Sequence, residues 1–271
     1  MKNISLDNPI AHGRTADVYH WDDGHILKLF HNWFELQNIE YELKIARAVH
    51  ASGVKAPEVK ELIQIQGRNG LIYERVIGES MLDMFQHKPW KVFTYARILA
   101  GLHAQMHECV FDSASIPAQR RRLQNKINHA NALSDSLKTS LLNALQSLPD
   151  GNRVCHGDFH PANVLISGAD ASVIDWMDAS RGNPLADVAR TSIILLGAAE
   201  SEEIPNPFIK SLVKIFHSIY LRQYFRLRPG GADEYRRWLP IIAGARLSEE
   251  IPELEKWLVR QAGKVDQTSM S

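Results

Sequence analysis

Cysteine is scarce in this chain: Cys109 and Cys155 are the only two among 271 residues. Two thiols cannot build a disulfide framework or a four-cysteine zinc site, so a small stapled domain is excluded. An excess of either charge is also lacking, because 31 Lys and Arg balance 31 Asp and Glu. A formal net charge of zero gives no general attraction to nucleic acid or to anionic membranes, and we expect neither as a partner.

Long hydrophobic runs are absent as well. The longest, residues 193–199, is far shorter than the roughly 20 apolar residues that span a bilayer. The first residues, MKNISLDNPIAHG, lack the apolar segment of a secretory signal peptide. We therefore expect a cytoplasmic protein, and its 45% hydrophobic residues are sufficient for a sizeable core.

The first part of the chain is rich in strand patterns. Residues 17–21 and 25–30 flank Asp22-Asp23-Gly24, and Asp-Gly between apolar runs is a strong hairpin signal. A second hairpin is predicted after it, with its turn at residues 67–70. Between the hairpins, apolar residues recur at helical spacing and Gly53 follows as a stop. The predicted order is strand, strand, helix, strand, strand.

The rest of the chain is predicted to be mainly helical. We expect helices over residues 91–110, 118–132, 134–148, 184–197, 207–227, 232–246 and 249–262. A strand–loop–strand segment interrupts them at residues 156–178. The pattern indicates an α+β protein with two lobes, a small β-rich lobe over residues 1–77 and a larger helical lobe over residues 78–271, with a hinge near residues 74–80.

The densest group of polar residues lies in the stretch HGDFHPANVLISGADASVIDWMD, residues 156–178. Asp158 and Asn163 are five residues apart, and Asp175 follows twelve residues after Asn163. A hairpin with these spacings can bring the three side chains to the same end of the hairpin. They are two carboxylates and an amide, and Mg²⁺ prefers oxygen ligands of this kind. Asp158 is then placed to accept a proton from a hydroxyl that attacks a phosphorus atom.

Phosphoryl transfer also requires a cationic group beside the negatively charged nucleotide phosphates, and Lys28 is the candidate for it. This lysine lies inside the apolar run ILKLF, where its charge needs a partner. On the following predicted helix, Glu42 is the first candidate partner and Glu40 the second.

A reduced glycine-rich loop precedes Lys28. The segment AHGRTADV aligns with the pattern G-x-G-x-x-G-x-V, with Ala11, Gly13 and Ala16 at the three glycine positions. Gly13 alone keeps the glycine, and the two alanine methyl groups stand where glycine lets the backbone come closest to phosphate.

Taken together, these motifs resemble the aminoglycoside phosphotransferase and choline kinase branch of the protein-kinase-like fold. The resemblance runs in order over about residues 10–190, through the reduced glycine loop, Lys28, the helix glutamate, YERVIGES, HGDFHPANVLI, VIDWMDA and GNPLADVAR. It implies a two-lobed kinase-like fold. It also implies transfer of the γ-phosphate of ATP or GTP, with Mg²⁺, to a hydroxyl of a small molecule such as an aminoglycoside, choline-like or sugar-like acceptor.

The resemblance assigns roles in the helical lobe. It implies that Asp158 is the catalytic base and that Asn163 and Asp175 hold Mg²⁺. Asp187, in PLADVAR, resembles the buried aspartate that braces the catalytic loop of the family.

The resemblance also assigns the nucleotide contacts. It implies that Gly13 lies in the phosphate loop and that Lys28 contacts the α- and β-phosphates, oriented by Glu42. Backbone groups between Glu74 and Val76 would bond the nucleotide base.

Other interpretations stay open on the sequence alone. The reduced glycine loop favours a catalytically silent, nucleotide-binding scaffold that keeps the fold. His156 and His160 form the pattern H-x-D-x-H with Asp158, which suits zinc, although we expect these histidines to make loop hydrogen bonds. His103 and His107 are four residues apart on a predicted helix and can share a metal if further ligands exist.

The acceptor is predicted to be a small molecule. Only twelve residues separate Asp175 from Asp187, and no A-P-E motif or peptide platform follows. Asp178, three residues past Asp175, is a candidate contact for the acceptor or for a second metal. Which acceptor, which nucleotide and which oligomeric state are not specified by the sequence.

Two charged groups are expected to be solvated surface. They are the basic run at residues 120–122 and the acidic residues Glu249, Glu250, Glu253 and Glu255.

Overall fold

A five-stranded antiparallel sheet forms the first part of the computed structural model, which describes residue 6 and residues 8–111, 116–202 and 204–265. The strands are β1 (Ala11–His12), β2 (Ala16–Asp22), β3 (His25–Phe30), β4 (Val59–Ile65) and β5 (Arg68–Glu74), in the order β1-β2-β3-β5-β4. Helix α1 (Leu36–Ala51) buries Ile39 and Ala46 against Phe30, Val59 and Leu71 of the sheet. The predicted order of strands and helix is confirmed.

The turn of the second hairpin begins one residue earlier than predicted and has two residues instead of four. Gln66 and Gly67 form it, with φ of 49° and 79°. A two-residue hairpin turn needs positive φ at both positions, which glycine adopts without cost. Residues 68–70 are the start of β5, and the prediction of a turn at residues 67–70 was therefore wrong.

Helices make up most of the second part. They are α2 (Met81–His87), α3 (Val92–Met106), α4 (Gln119–His129), α5 (Asp135–Ser147), α6 (Pro184–Glu200), α7 (Pro207–Leu227), α8 (Ala232–Arg246) and α9 (Pro252–Ala262). The predicted helices are all present, several with shorter bounds. Helix α2 was not predicted, although Ser80 caps it by accepting from the Leu82 N–H, a signal that the sequence carries. No helix in the described part of the chain is long and apolar enough to cross a membrane.

Short strands connect the helices and carry the polar stretch. They are β6 (Glu79–Ser80), β7 (Arg153–Cys155), β8 (Val164–Ser167), β9 (Asp170–Val173) and β10 (Ser180–Gly182). Strands β8 and β9 form the predicted hairpin, with β6 paired along β8, and β7 pairs with β10. Strands of two or three residues have no periodicity to recognise, which explains why β1, β6, β7 and β10 were not predicted. The lobe boundary between residues 77 and 78 stays a prediction.

A buried carboxylate ties the polar stretch to the helical core. Asp187, in the first turn of α6, is buried. Its Oδ2 accepts the backbone N–H of His156 at 2.6 Å, and its Oδ1 accepts that of Gly157 at 2.8 Å. The loop that follows β7 is therefore fixed to α6 through its backbone.

Two buried histidines of α3 complete the surroundings of this carboxylate. The Nε2 atoms of His103 and His107 lie 3.2 and 3.3 Å from Asp187 Oδ2. Their Nδ1 atoms lie 2.7 Å from the Tyr220 hydroxyl and 2.8 Å from the Tyr224 hydroxyl, both on α7. The ring nitrogens and carboxylate oxygens of the group all have hydrogen-bond partners, so the geometry suits a structural brace better than a metal site, although the ligand atoms lie close enough for one.

Protonation of this group follows from its burial. Burial lowers the pKa of His107 to about 3 and also lowers the pKa of His103. Both rings are therefore neutral at pH 7, with the proton on Nε2 donated to Asp187. Burial would raise the pKa of Asp187, but the two histidine hydrogen bonds outweigh it and hold that pKa well below its ordinary value.

Stability is expected to fall as the pH drops below about 6.5, the ordinary pKa of histidine. The unfolded chain then binds protons at His103 and His107 while the folded chain does not, at a cost of up to about 1.4 kcal/mol per pH unit for each. The free energy of unfolding continues to decrease until the pH reaches the lowered pKa of each histidine in the folded protein. Urea unfolding between pH 7.5 and 4.5 measures it.

His107→Gln keeps a donor and an acceptor at this position but cannot titrate, so it should flatten the decline. His129→Gln, an exposed change on α4, is the matched control and should leave it intact. An equal pH slope for His107→Gln and the unmodified protein would contradict this assignment.

Candidate active site

The loop between β7 and β8 has a conformation that requires glycine. Gly157 has φ of 81°, and a Cβ on it would lie 2.5 Å from the carbonyl oxygen of Asp178. Any side chain would strain the backbone and collide with this neighbouring segment. Gly157 therefore fixes the path of the chain directly before Asp158.

Asp158 is a partly exposed carboxylate that lies between the Arg190 guanidinium and the His160 ring. Its Oδ1 lies 3.3 Å from Arg190 Nη2, and its Oδ2 lies 3.4 Å from His160 Nε2. Burial opposes ionisation, but the His160 hydrogen bond and the Arg190 charge outweigh it, so the pKa of Asp158 is well below its ordinary value. The side chain is 34% exposed, which leaves it reachable as an ionised hydrogen-bond acceptor.

Asn163 and Asp175 lie side by side next to Asp158. The side-chain amide of Asn163 donates to the Asp158 carbonyl at 2.9 Å, and the backbone carbonyl of Asn163 accepts the Ile174 N–H at 3.0 Å. Asp175 follows with φ of 62°, a left-handed conformation that aspartate tolerates better than most residues. Its side chain is 52% exposed.

These two side chains fit a hard divalent cation. The nitrogen of the Asn163 amide is fixed as a donor, so its oxygen is the end that can bind a cation, and Asp175 adds an exposed carboxylate. Mg²⁺ takes one or two such groups beside substrate phosphates and water.

Lys28 on strand β3 connects the sheet to Asp175 through an ion pair. Its Nζ lies 2.8 Å from Glu42 Oε1 and 3.6 Å from Asp175 Oδ1. Burial would lower the pKa of Lys28, but the charges of Glu42 and Asp175 raise it, so the ammonium stays charged. The predicted partner Glu42 is confirmed, whereas the second choice, Glu40, is exposed. Tyr73 also donates to Glu42 Oε1, at 2.9 Å, and holds that carboxylate in place.

The reduced glycine loop is a tight turn at the edge of the sheet. The Gly13 N–H donates to the Ala16 carbonyl at 2.9 Å, which closes the turn between β1 and β2. The Ala16 side chain is buried in the core of the sheet, while Ala11 is exposed. The methyl group of Ala16 is thus accommodated inside the fold.

The predicted base-contacting segment follows β5. Glu74 is the last residue of this strand, and its N–H donates to the Glu58 carbonyl at 2.8 Å. Val76 lies in the irregular segment between β5 and β6. A nucleotide contact at either residue stays a prediction.

His156 and His160 make loop hydrogen bonds, as expected. His156 Nδ1 accepts the Asp158 N–H at 3.2 Å, and its Nε2 donates to the Ile174 carbonyl at 3.0 Å. His160 Nδ1 accepts the Ala162 N–H at 3.3 Å. The H-x-D-x-H pattern therefore does not converge on one point as a zinc site requires.

The sequence did not lead us to predict a role for Arg190, a basic residue beside the loop. Arg190 on α6 donates its Nε–H to the Gly157 carbonyl at 3.0 Å in addition to its contact with Asp158. It stands three residues after Asp187, one helical turn along α6, and this spacing is the signal that the sequence offered.

Each of the two charged groups expected at the surface has members that are partly buried, although Arg121, Glu250, Glu253 and Glu255 are exposed as predicted. Arg122 pairs with Asp178, and Arg120 donates to backbone carbonyls at the end of α5. Asp178 is thus engaged by a cation, which argues against a second metal there. Glu249 lies 2.7 Å from Arg190 Nη2, so the prediction of a solvated face was wrong for it.

Comparisons with known proteins agree with this geometry. The sequence profile of the phosphotransferase enzyme family (APH) matches residues 8–238, most of the chain. A search of curated proteins finds no match.

Solved structures have the same fold at low identity. An apo thermostable mutant of aminoglycoside phosphotransferase APH(4)-Ia is 15% identical with a TM-score of 0.65, covering 98% of this chain and 95% of that one. A choline/ethanolamine kinase family protein from Mesorhizobium loti is 16% identical with a TM-score of 0.55, covering 96% and 85%. The amicoumacin kinase hAmiN is 15% identical with a TM-score of 0.60, covering 96% and 87%.

These likenesses confirm the predicted two-lobed, protein-kinase-like fold with a small sheet lobe and a larger helical lobe. The profile match extends from the reduced glycine loop through Asp158 and Asp175 into α8. The chain therefore belongs to the phosphotransferase enzyme family (APH) and is a small-molecule kinase.

Proposed function

We propose that this enzyme transfers the γ-phosphate of ATP or GTP, with Mg²⁺, to a hydroxyl group of a small molecule. The observation that carries the proposal is the linkage of four groups. Lys28 Nζ lies 3.6 Å from Asp175 Oδ1. The residue before Asp175 donates its N–H to the Asn163 backbone carbonyl, and the Asn163 side chain donates to the Asp158 carbonyl. A cation, a metal-ligand pair and an ionised carboxylate are the parts that phosphoryl transfer needs.

Nucleotide and metal binding have support from solved relatives. An APH(4)-Ia variant was crystallised with ADP and hygromycin B, and hAmiN with AMP-PNP and Ca²⁺. In this chain, the nucleotide would lie between residues 1–77 and residues 78–271, with the base near Glu74 and Val76 and the phosphates near Gly13. Lys28, oriented by Glu42, would contact the α- and β-phosphates.

Asp158 would act on the acceptor. The acceptor oxygen forms a bond to the γ-phosphorus, the bond from that phosphorus to the bridging oxygen breaks, and the nucleoside diphosphate leaves. The hydroxyl proton passes to Asp158 as the new O–P bond forms. The lowered pKa keeps Asp158 ionised but makes it a weak base, so its main contribution is to orient the hydroxyl. Arg190 and His160 hold the Asp158 carboxylate in position, so the rate gain comes from orientation and fixed charge.

Asn163 and Asp175 would hold the metal. When bound, Mg²⁺ neutralises charge on the β- and γ-phosphates. The Lys28 ammonium lies 3.6 Å from Asp175 Oδ1, so phosphates bound to the metal would also lie close to this positive charge.

Asp158→Asn should reduce turnover by about 10²- to 10⁴-fold, since it removes the proton acceptor but keeps the shape. Nucleotide affinity should stay within about twofold, because Asp158 does not contact the nucleotide in this account. Coupled measurement of ADP release, with calorimetry for binding, checks both values. Asp170→Asn, on an exposed position of β9, removes the same charge and should leave turnover unchanged. Undiminished turnover in Asp158→Asn would remove this residue from the mechanism.

Asp175→Asn should abolish most of the dependence of nucleotide affinity on Mg²⁺. Asparagine also tolerates the left-handed backbone at this position, so the loop should keep its conformation. Titration of nucleotide with Mg²⁺ and with a chelator measures the difference for each protein. Equal Mg²⁺ dependence in the variant and the unmodified protein would show that Asp175 is not a metal ligand.

A further inference from the structure

A small cavity lies beside the loop that carries Asp158. Its volume is about 40 Å³, and Gly157 and Asp178 border it. Helices α4, α6 and α8 line the rest with an unusual number of basic side chains: Arg122, Lys126, Arg190 and Arg246. A cavity of this size has room for a group as large as a carboxylate or a phosphate.

Three of the four cations have close acidic partners. Arg122 pairs with Asp178. Arg190 Nη2 lies 2.7 Å from Glu249 Oε1, and Lys126 Nζ lies 3.4 Å from the same oxygen. Asp178 and Glu249 are thus already engaged by these cations. Asp187, which also lines the cavity, is engaged instead by two histidines and two backbone N–H groups.

Arg246 is left without hydrogen bonds at two of its nitrogens. Its Nε and Nη1 are buried and have no hydrogen-bond partner in the described part of the chain. The closest acid, Glu249 Oε2, lies 3.5 Å from Nε, and Glu249 is the carboxylate that Arg190 and Lys126 already engage. Burial and the Arg190 charge lower the pKa of Arg246 to about 10, which still leaves it charged at pH 7. Buried guanidinium donors without partners are costly, so the site is short of one anion.

Arg246 is also close to the proposed catalytic base. Arg190 Nη2 lies 3.3 Å from Asp158 Oδ1 and 2.7 Å from Glu249 Oε1, and Glu249 in turn approaches Arg246. Arg190, which lines the cavity, therefore contacts the Asp158 carboxylate directly. The charge here opposes a polycationic acceptor, because four cations surround the cavity.

We infer that the acceptor is a small hydroxylated anion whose carboxylate or phosphate group binds at Arg246, together with Arg122 and Lys126, and whose hydroxyl reaches Asp158. This inference rests on the proposed function for the identity of the reacting group. The anion supplies the charge that the cavity lacks and satisfies the donors of Arg246. Cationic acceptors, such as choline, meet repulsion at the same place.

The test is calorimetry on the full chain with Mg²⁺ and saturating AMP-PNP, which occupies the nucleotide phosphate site. Inorganic phosphate and D-glycerate are the two anionic probes and distinguish a phosphate from a carboxylate, and choline is the cationic probe. At least one anion should bind with a Kd below about 10 mM, and choline should not. Arg246→Gln should weaken that anion by about tenfold or more, because a charge-assisted hydrogen-bond donor is lost.

Arg236→Gln is the matched control: it removes the same charge from an exposed position of α8 and should leave anion binding unchanged. If Arg246→Gln does not fold, Arg122→Gln tests the same cavity and should also weaken the anion. Tighter binding of choline than of both anions, or an unchanged anion Kd in the folded cavity variant, would overturn the inference. So would the absence of anion binding in a protein that binds Mg²⁺ and AMP-PNP. Failure to bind AMP-PNP at all would instead count against the proposed function.

Discussion

The positions of the other site residues depend on two hydrogen bonds that one buried carboxylate accepts from backbone N–H groups. Asp187 holds the amides of His156 and Gly157 and is itself held by two neutral histidines. Because Gly157 directly precedes Asp158, the position of the proposed catalytic carboxylate is set by α6 and not by the loop alone. The hydroxyls of Tyr220 and Tyr224 extend the same chain of hydrogen bonds into α7.

From this fixed loop, the rest of the site follows by short steps along the chain. Asn163 bonds back to the Asp158 carbonyl, and the β8–β9 hairpin returns Asp175 to its side. Lys28 then bridges from the sheet to Asp175, so the two lobes meet through opposite charges. Backbone hydrogen bonds thus hold the proposed site residues of the helical lobe in place, and an ion pair connects them to Lys28 of the sheet.

Local patterns were sufficient to predict much of this arrangement. Lys28 in an apolar strand indicated that its charge needs a partner, and Glu42 on the next helix, predicted ahead of Glu40, is the residue that pairs with it. The bounds of α7 and α8 were predicted to the residue, because proline, glycine and apolar periodicity mark them clearly. The catalytic loop was recognisable because its residues are close together in sequence.

Long-range charge pairing was not predictable in the same way. Arg190 and Glu249 are distant in sequence, and nothing local distinguishes Glu249 from its exposed neighbour Glu250. Only the packing of α6 against α8 shows that Glu249 is surrounded by cations and that Arg246 lacks a full partner. The character of the acceptor side therefore depends on tertiary contacts, whereas the phosphate side is evident in the sequence.

The central claim is that Lys28, Asn163 and Asp175 form one site for a metal and a nucleotide. Thermal unfolding of the protein with ATP or GTP, each with and without Mg²⁺, tests it most directly. A ligand that binds only the folded state stabilises it by about 2.7 kcal/mol at a hundredfold excess over its Kd. The account predicts a rise in Tm that requires both Mg²⁺ and one of the two nucleotides. An unchanged Tm with both nucleotides in the presence of Mg²⁺ would contradict it and leave a kinase fold without a working phosphate site.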